Sequence, residues 1–198
     1  MNYRKVNRFW QSCTLLLAPI LLTLLILFRG SLTPWMWLLS LHLPFLMLHE
    51  AEEYVLSPLS FKDFINTKSP LSVGLPEFPL DEGYVFQVNL VLAWPVIILG
   101  AALANVAPWI GMAMVIFEIV INNATHTVAF QGSKPSYNPG LVTNCAVLVP
   151  YSVVALVSAA RFFSPLDWVL SVLLGAGICA FFALKTGGRM RRAKAEAR

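Results

Sequence analysis

The chain has 198 residues, of which 58% are hydrophobic and 12% charged. Soluble domains carry about 25% charged residues, so this composition excludes an ordinary water-soluble enzyme and implies a membrane protein. The net charge of +4 does not imply nucleic acid, because the basic residues sort by topology, as described below.

At the N-terminus, Arg4, Lys5 and Arg8 precede an apolar run that ends at Arg29-Gly30. No small-x-small cleavage pattern closes that run, so it reads as an uncleaved first span and not as a signal peptide. Five further apolar segments follow, each near the ~20 residues a helix needs to cross the hydrocarbon. The expected spans are about 10–28, 35–56, 84–104, 108–130, 140–160 and 165–184. Breakers separate them: Arg29-Gly30-Ser31 with Pro34, a Pro-rich stretch after Ser57, Pro108, Pro135 with Pro139-Gly140, and Ser164-Pro165. The expected fold is an all-α polytopic bundle of six transmembrane helices in one domain, 1–198, with a basic tail at 185–198.

Charge fixes the expected sidedness. With the N-terminus inside, Arg4, Lys5, Arg8, Lys62, Lys68, Lys134, Lys185, Arg189, Arg191, Arg192, Lys194 and Arg198 all fall inside, and only Arg29 and Arg161 fall outside. That asymmetry calls for an even number of spans with both termini cytoplasmic. A four-span arrangement with one weak span re-entrant is the competing topology. Trp35, Trp37, Trp109 and Trp168 fall near outer ends and Trp10 near an inner end, as an aromatic belt requires. Cys13, Cys145 and Cys179 are far apart and lie in apolar segments, which reads as buried free thiols. Residues 57–83 form an inner loop too long for a simple connector. It reads either as a segment lying on the inner leaflet or as a lid over a site.

The chemistry gathers at the end of the second span, in His49-Glu50-Ala51-Glu52-Glu53. Ionisable groups in or near lipid are costly unless paired, protonated or bound to a cation, so they mark function. Helical geometry puts His49, Glu52 and Glu53 toward one side, with the two glutamates about 100° apart. Glu50 is expected to point away, to solvated headgroups. His42 lies deeper on the same stripe and is expected to be a hydrogen-bonded core residue. In the fourth span Glu118, Asn122 and His126 form a second stripe. Glu118 and His126 are about 12 Å apart along a straight axis, so one ion cannot bind both. The expected ligands are therefore His49, Glu53 and His126, with Asn122 a further candidate. Glu118 is left as a deeper acid, a partner of a ligand, or a ligand to a second ion. Both spans end inside, which places the two sets at similar depth. Next on that side comes Tyr137-Asn138-Pro139-Gly140, where Asn138 is expected to cap the fifth span. Such a helix start is also a place for an anionic headgroup, with Asn138 and Gly140 touching the ligand. Asn89 and Gln87 open the third span on the same side and are expected to line the pocket.

These three elements together resemble the HXXEE family of small integral-membrane proteins. His49, Glu52 and Glu53 match its naming motif, Asn122 and His126 its Asn-x-x-x-His element, and Tyr137, Pro139 and Gly140 its Tyr-x-Pro-Gly element, with Thr143 following. The resemblance covers residues 49–143. It implies a mainly prokaryotic protein of the cell membrane, presumed to be an enzyme, and supplies no substrate.

The leading expectation is a metal-dependent enzyme, hydrolase or oxidoreductase, acting on a lipid-like molecule from the inner leaflet. His49, Glu53 and His126 would hold Zn²⁺, Fe²⁺ or Mn²⁺, among which a mixed nitrogen and oxygen set does not choose. Glu52 would be a general base or fourth ligand, Asn122 an orienting group, and Tyr137 a general acid or oxyanion donor. Two other readings stay open. One is a metal-free His/Glu acid–base isomerase of a sterol- or isoprenoid-like substrate. The other is a proton- or cation-coupled transporter. Membrane lipids are the expected surroundings, with no nucleic-acid partner and an oligomeric state the sequence leaves open.

Overall fold

In the computed structural model, residues 2–72, 74–133 and 137–196 are described. Lys134, Pro135 and Arg198, used above to argue sidedness and breaks, lie outside the described residues. Within them the chain forms seven helices and no strand. They are α1 (Tyr3–Leu27), α2 (34–56), α3 (Phe61–Thr67), α4 (Glu82–Ala102), α5 (Pro108–Gly132), α6 (Leu141–Phe162) and α7 (Pro165–Glu196).

Five of these, α1, α4, α5, α6 and α7, are long and apolar enough to cross a membrane. The segment expected as the second span is interrupted at Leu41, between Pro34–Ser40 and His42–Ala51. Pro44 is the physical reason: it has no N–H to give the Ser40 carbonyl and its ring crowds that carbonyl. The tail expected at 185–198 is no separate tail, because α7 runs on as helix through it to Glu196. At about 1.5 Å per residue α7 is about 48 Å long, more than the ~30 Å hydrocarbon layer.

Local sequence sets the helix ends. The side chains of Asn2, Thr33 and Asp81 cap α1, α2 and α4 by accepting from Lys5 N, Met36 N and Tyr84 N. Wide, π-type turns interrupt four helices, at Glu52–Leu56, Gln87–Ala93, Glu118–Asn123 with Thr125–Ala129, and Asn144–Leu148. In α4 and α6 they come just before Pro95 and Pro150, which withhold an N–H from the preceding turn. In α5 they coincide with a β-branched run, where Thr127 Oγ1 also donates back to the Asn123 carbonyl at 2.5 Å. Such turns gather at functional sites because they re-aim side chains. All of them lie in the stretches that carry this chain's polar residues.

Contacts sort the loops into two ends. At one end Asn7 donates to Glu82, Tyr84 bonds Thr186, and Lys185 donates to Gln87. There too Arg189 pairs with Asp81 and donates to the Pro79 carbonyl. The start of α1, the 57–83 loop and the end of α7 therefore meet. At the other end Thr33 bonds Asn105, and Trp35, Phe163 and Trp168 stack in a row. Between the ends α4 and α5 pack so closely that a Cβ on Gly100 would sit 2.6 Å from Gly111 Cα.

Two side-chain expectations change. Trp10 is not an interface anchor: it is buried, donates to Asn7 and packs edge-on to Tyr54 and Trp94. The cysteines are free, but Cys145 is exposed and Cys13 and Cys179 only half-buried. Cys179 packs against the edge of the apolar core.

The 57–83 loop folds over the bundle end. Asn66, fully buried, donates to the Pro76 and Leu80 carbonyls and accepts from Leu80 N. Lys62, also buried, is surrounded by Asp63, Glu77 and Glu82. Phe61, Phe64 and Ile65 of α3 then face the helical core. Of the two readings of this loop, a cover over the core fits these contacts.

Candidate metal centre

His49 and Glu53 are one turn apart on α2 and share a face, which α5 approaches with His126. Glu53 Oε1 lies 3.4 Å from His49 Nε2 and 3.3 Å from His126 Nε2. One donor atom from each of the three residues lies within 4.8 Å of the others, and all three are buried. The two imidazoles meet edge to face, with centroids 4.9 Å apart. Phe61 of the loop lies over the His126 ring at 5.3 Å.

The far side of each imidazole decides what the near side offers. His126 Nδ1 is 2.6 Å from Asn138 Oδ1. Asn138 Nδ2 turns to the His126 carbonyl, which leaves Oδ1 as an acceptor facing the ring, so His126 Nδ1 carries the proton. His49 Nδ1 is 3.1 Å from Thr143 Oγ1, whose hydroxyl donates to Glu52 Oε2 at 2.6 Å. Thr143 can therefore only accept from His49, and His49 Nδ1 also carries the proton. In the neutral rings both Nε2 atoms then present lone pairs to the Glu53 carboxylate. Both are buried without a hydrogen-bond partner among the described residues. Two lone pairs and an anion converging in a buried site repel one another, and a cation at their focus removes that repulsion. Bonding of the remote ring nitrogen is the usual way a protein fixes a ligating histidine.

The spacing fits the same conclusion. Two ligands at about 2.0–2.1 Å in a tetrahedral arrangement are about 3.4 Å apart. The contacts from Glu53 to the two Nε2 atoms have that length.

Gly140 closes the cluster. Its φ is +91°, a conformation side chains disfavour, and a Cβ there would sit 2.6 Å from His49 Cε1 and 2.9 Å from both Glu53 Cγ and His126 Cε1. No other residue fits at this position without displacing the three side chains. Gly140 thus touches the ligand side chains themselves, which was not expected of it.

Glu52 stands outside the cluster. Its carboxylate accepts from Val142 N at 3.1 Å, Thr143 N at 2.6 Å, Thr143 Oγ1 at 2.6 Å and Tyr137 Oη at 3.2 Å. It caps α6 from a neighbouring helix, at the end where free N–H groups and the positive dipole favour an anion. Both oxygens are engaged there, which leaves neither for a general base or a fourth ligand. This also corrects two expectations for the loop before α6. Asn138 does not cap α6 but holds His126, and the helix start expected for an anionic headgroup is filled by Glu52. Tyr137 Oη lies 2.5 Å from Ser57 Oγ, so the ring pins the end of α2. Burial and the adjacent Glu52 carboxylate push its hydroxyl above the ordinary phenol range, against Ser57, which lowers it.

Deeper in the bundle, Asn122 donates to Glu118 Oε1 at 2.8 Å, and Glu118 Oε2 lies 3.6 Å from His42 Nε2. Asn122 is therefore turned to Glu118 and does not join the first cluster. Only the cluster of His49, Glu53 and His126 has metal-ligand spacing among the described residues, so no second ion site appears at Glu118. His42 is buried, as expected, with Tyr151 beside it at 5.1 Å, but its Nε2 has no hydrogen-bond partner among the described residues.

A cavity of about 380 Å³ opens beside the centre. Glu53 lines it, as do Asn89, Asn122 and Glu118, among mostly apolar side chains from α4, α5, α7 and the loop. Asn89 faces the cavity, where its Nδ2 is 3.4 Å from Tyr54 Oη. Gln87 does not, being exposed and bonded to Lys185. Glu50 reverses its expectation: it is buried, lines the cavity, and accepts from Trp94 Nε1 at 2.9 and 3.1 Å. Sequence reading missed it because nothing local shows that α4 covers that face of α2. One signal was present: Trp94 falls mid-helix, away from the interfaces where tryptophan concentrates.

The comparisons with known proteins add a family and little else. A family model described as a protein of unknown function with HXXEE motif matches residues 37–155. No curated protein and no solved structure matches the chain.

Proposed function

The chain belongs to the HXXEE family, and we propose that it is a membrane-embedded, metal-dependent enzyme acting on a lipid-like substrate. The observation that carries this reading is the convergence of two imidazole Nε2 atoms on Glu53 Oε1, with both remote nitrogens held as donors. His49, Glu53 and His126 would hold the ion, and Zn²⁺, Fe²⁺ and Mn²⁺ all suit the set. When bound, such an ion supplies Lewis-acid or redox chemistry, which is the difference between a hydrolase and an oxidoreductase. Asn138 and Thr143 orient the imidazoles, and Glu52 fixes Thr143. Phe61 and the folded loop keep water from the centre. Glu118 and Asn122 reach the substrate cavity and are the groups placed to accept or orient a proton there.

We place the protein in the cell membrane of a bacterium as a multi-pass protein of six spans, α2 included, with both termini cytoplasmic. The positive-inside bias and the meeting of the α1 start, the loop and the α7 end at one end of the bundle support this. The apolar cavity at that end supports entry of substrate from the inner leaflet. Reconstitution tests the proposal. Chelation of purified protein should lower its thermal unfolding temperature, and one of the three metals should restore it. A second reading, metal-free acid–base catalysis by the trio, is favoured by the same 3.3 and 3.4 Å contacts if a proton bridges them. Turnover that survives strong chelation selects that reading.

A further inference from the structure

The walls of the cavity beside the centre carry three carboxyl groups, Glu50, Glu53 and Glu118, and no lysine, arginine or histidine. The remaining polar lining is uncharged: Tyr54, Tyr84, Asn89, Asn122 and two threonines. The chain's net charge is +4, yet its cations near this space, Lys185 and Arg189, lie over the Tyr84 ring at 5.0 and 5.4 Å and do not line it. Glu50 and Glu118 also have unused accepting capacity. A carboxylate can accept about four hydrogen bonds. Glu50 receives one N–H, that of Trp94, shared between its two oxygens. Glu118 receives Asn122 on one oxygen, and His42 stands beyond hydrogen-bond distance from the other.

We propose that this cavity binds an aliphatic amphiphile whose head group donates hydrogen bonds, an amine ahead of an alcohol, and that it rejects phosphate and carboxylate heads. This rests on the reading of the cavity as the substrate site and deepens it by naming the substrate class. In neither ionisation state does a carboxyl group neutralise an anion, and an anionic head held at Glu50 and Glu118 would be desolvated with no side-chain cation in the lining to meet it. An ammonium head would meet the accepting oxygens of Glu50 and Glu118. Its chain would lie against Leu46, Met114, Phe117 and Phe182, in a volume within the range of small-molecule sites.

The test compares dodecylamine, dodecanol, dodecyl phosphate and dodecanoate for stoichiometric binding to the full chain in a non-ionic detergent, by native mass spectrometry. The expected order is amine, then alcohol, with both anions at least about tenfold weaker than the amine. Glu50→Gln and Glu118→Gln should each reduce the amine-to-phosphate ratio several-fold, and either variant alone carries the test if the other fails to fold. Equal or tighter binding of phosphate or carboxylate overturns the proposal, as does a ratio unchanged in the folded variants. Repeating the series in His126→Ala separates this proposal from the metal reading. The head-group order should persist there, whereas an order that vanishes would assign recognition to the ion and overturn the role of Glu50 and Glu118.

Discussion

Two buried polar layers, one at His49 and His126 and the other at His42 and Glu118, lie about two turns apart in this bundle, and they are built differently. In the layer beneath Gly140, each ligand candidate is held from behind: His126 by Asn138, His49 by Thr143, and Thr143 by Glu52. In the deeper layer the groups are left loose. Tyr151 Oη is buried beside His42 with no hydrogen-bond partner among the described residues, and His42 faces Glu118 at 3.6 Å. Burial alone therefore does not mark the centre. What marks it is that its supporting bonds leave specific lone pairs aimed at one point, which is how proteins prepare a ligand set.

That contrast is open to attack by mutation. The largest effect belongs to the ligands. His126→Ala or Glu53→Ala should remove metal binding altogether, seen as loss of metal from purified protein, with the protein still extractable from membranes. Gly140→Ala comes next. Its added methyl collides with all three ligand side chains in a backbone conformation that disfavours it. It should lower metal content and cost about 1–3 kcal/mol in a detergent unfolding curve. Third come the orienting residues: Asn138→Ala and Thr143→Val should each weaken metal affinity about 10–100-fold by competition with a chromogenic chelator. Glu52→Gln keeps the shape but loses the charge that caps α6, and should cost about 1 kcal/mol of stability. Smallest is Tyr151→Phe in the deeper layer. Removing an unpartnered hydroxyl should leave metal content intact and stability unchanged or slightly raised. If Tyr151→Phe depleted the metal as strongly as Asn138→Ala, the distinction between the layers would fail.

Much of this was legible in the sequence, for identifiable reasons. Hydropathy and proline placed α4, α5 and α6 to within two residues, because lipid demands long apolar helical runs, whereas α1 starts seven residues earlier and α7 ends twelve later than expected. The i, i+4 spacing of His49 and Glu53, and the shared end of α2 and α5, anticipated the meeting with His126. What stayed hidden needed the partner helix. Glu52 and Glu53 are chemically alike and adjacent. Only the position of α6 assigns one to a helix cap and leaves the other facing the histidines. Glu50 was misread as solvated because its burial comes from Trp94, forty-four residues on. Asn138 looked like a cap because caps are the commoner use of an asparagine before a proline. Gly140 matched a motif, but its reason, a Cβ that would strike three ligands, exists only in three dimensions.

The central claim is that His49, Glu53 and His126 form a metal centre. The most direct measurement is elemental analysis of the full chain, purified without chelators, beside His126→Ala prepared in the same way. The account predicts about one zinc, iron or manganese per wild-type chain and a background level in the variant. Wild-type protein that is folded yet carries no first-row metal, or a variant that carries as much as wild type, would contradict it.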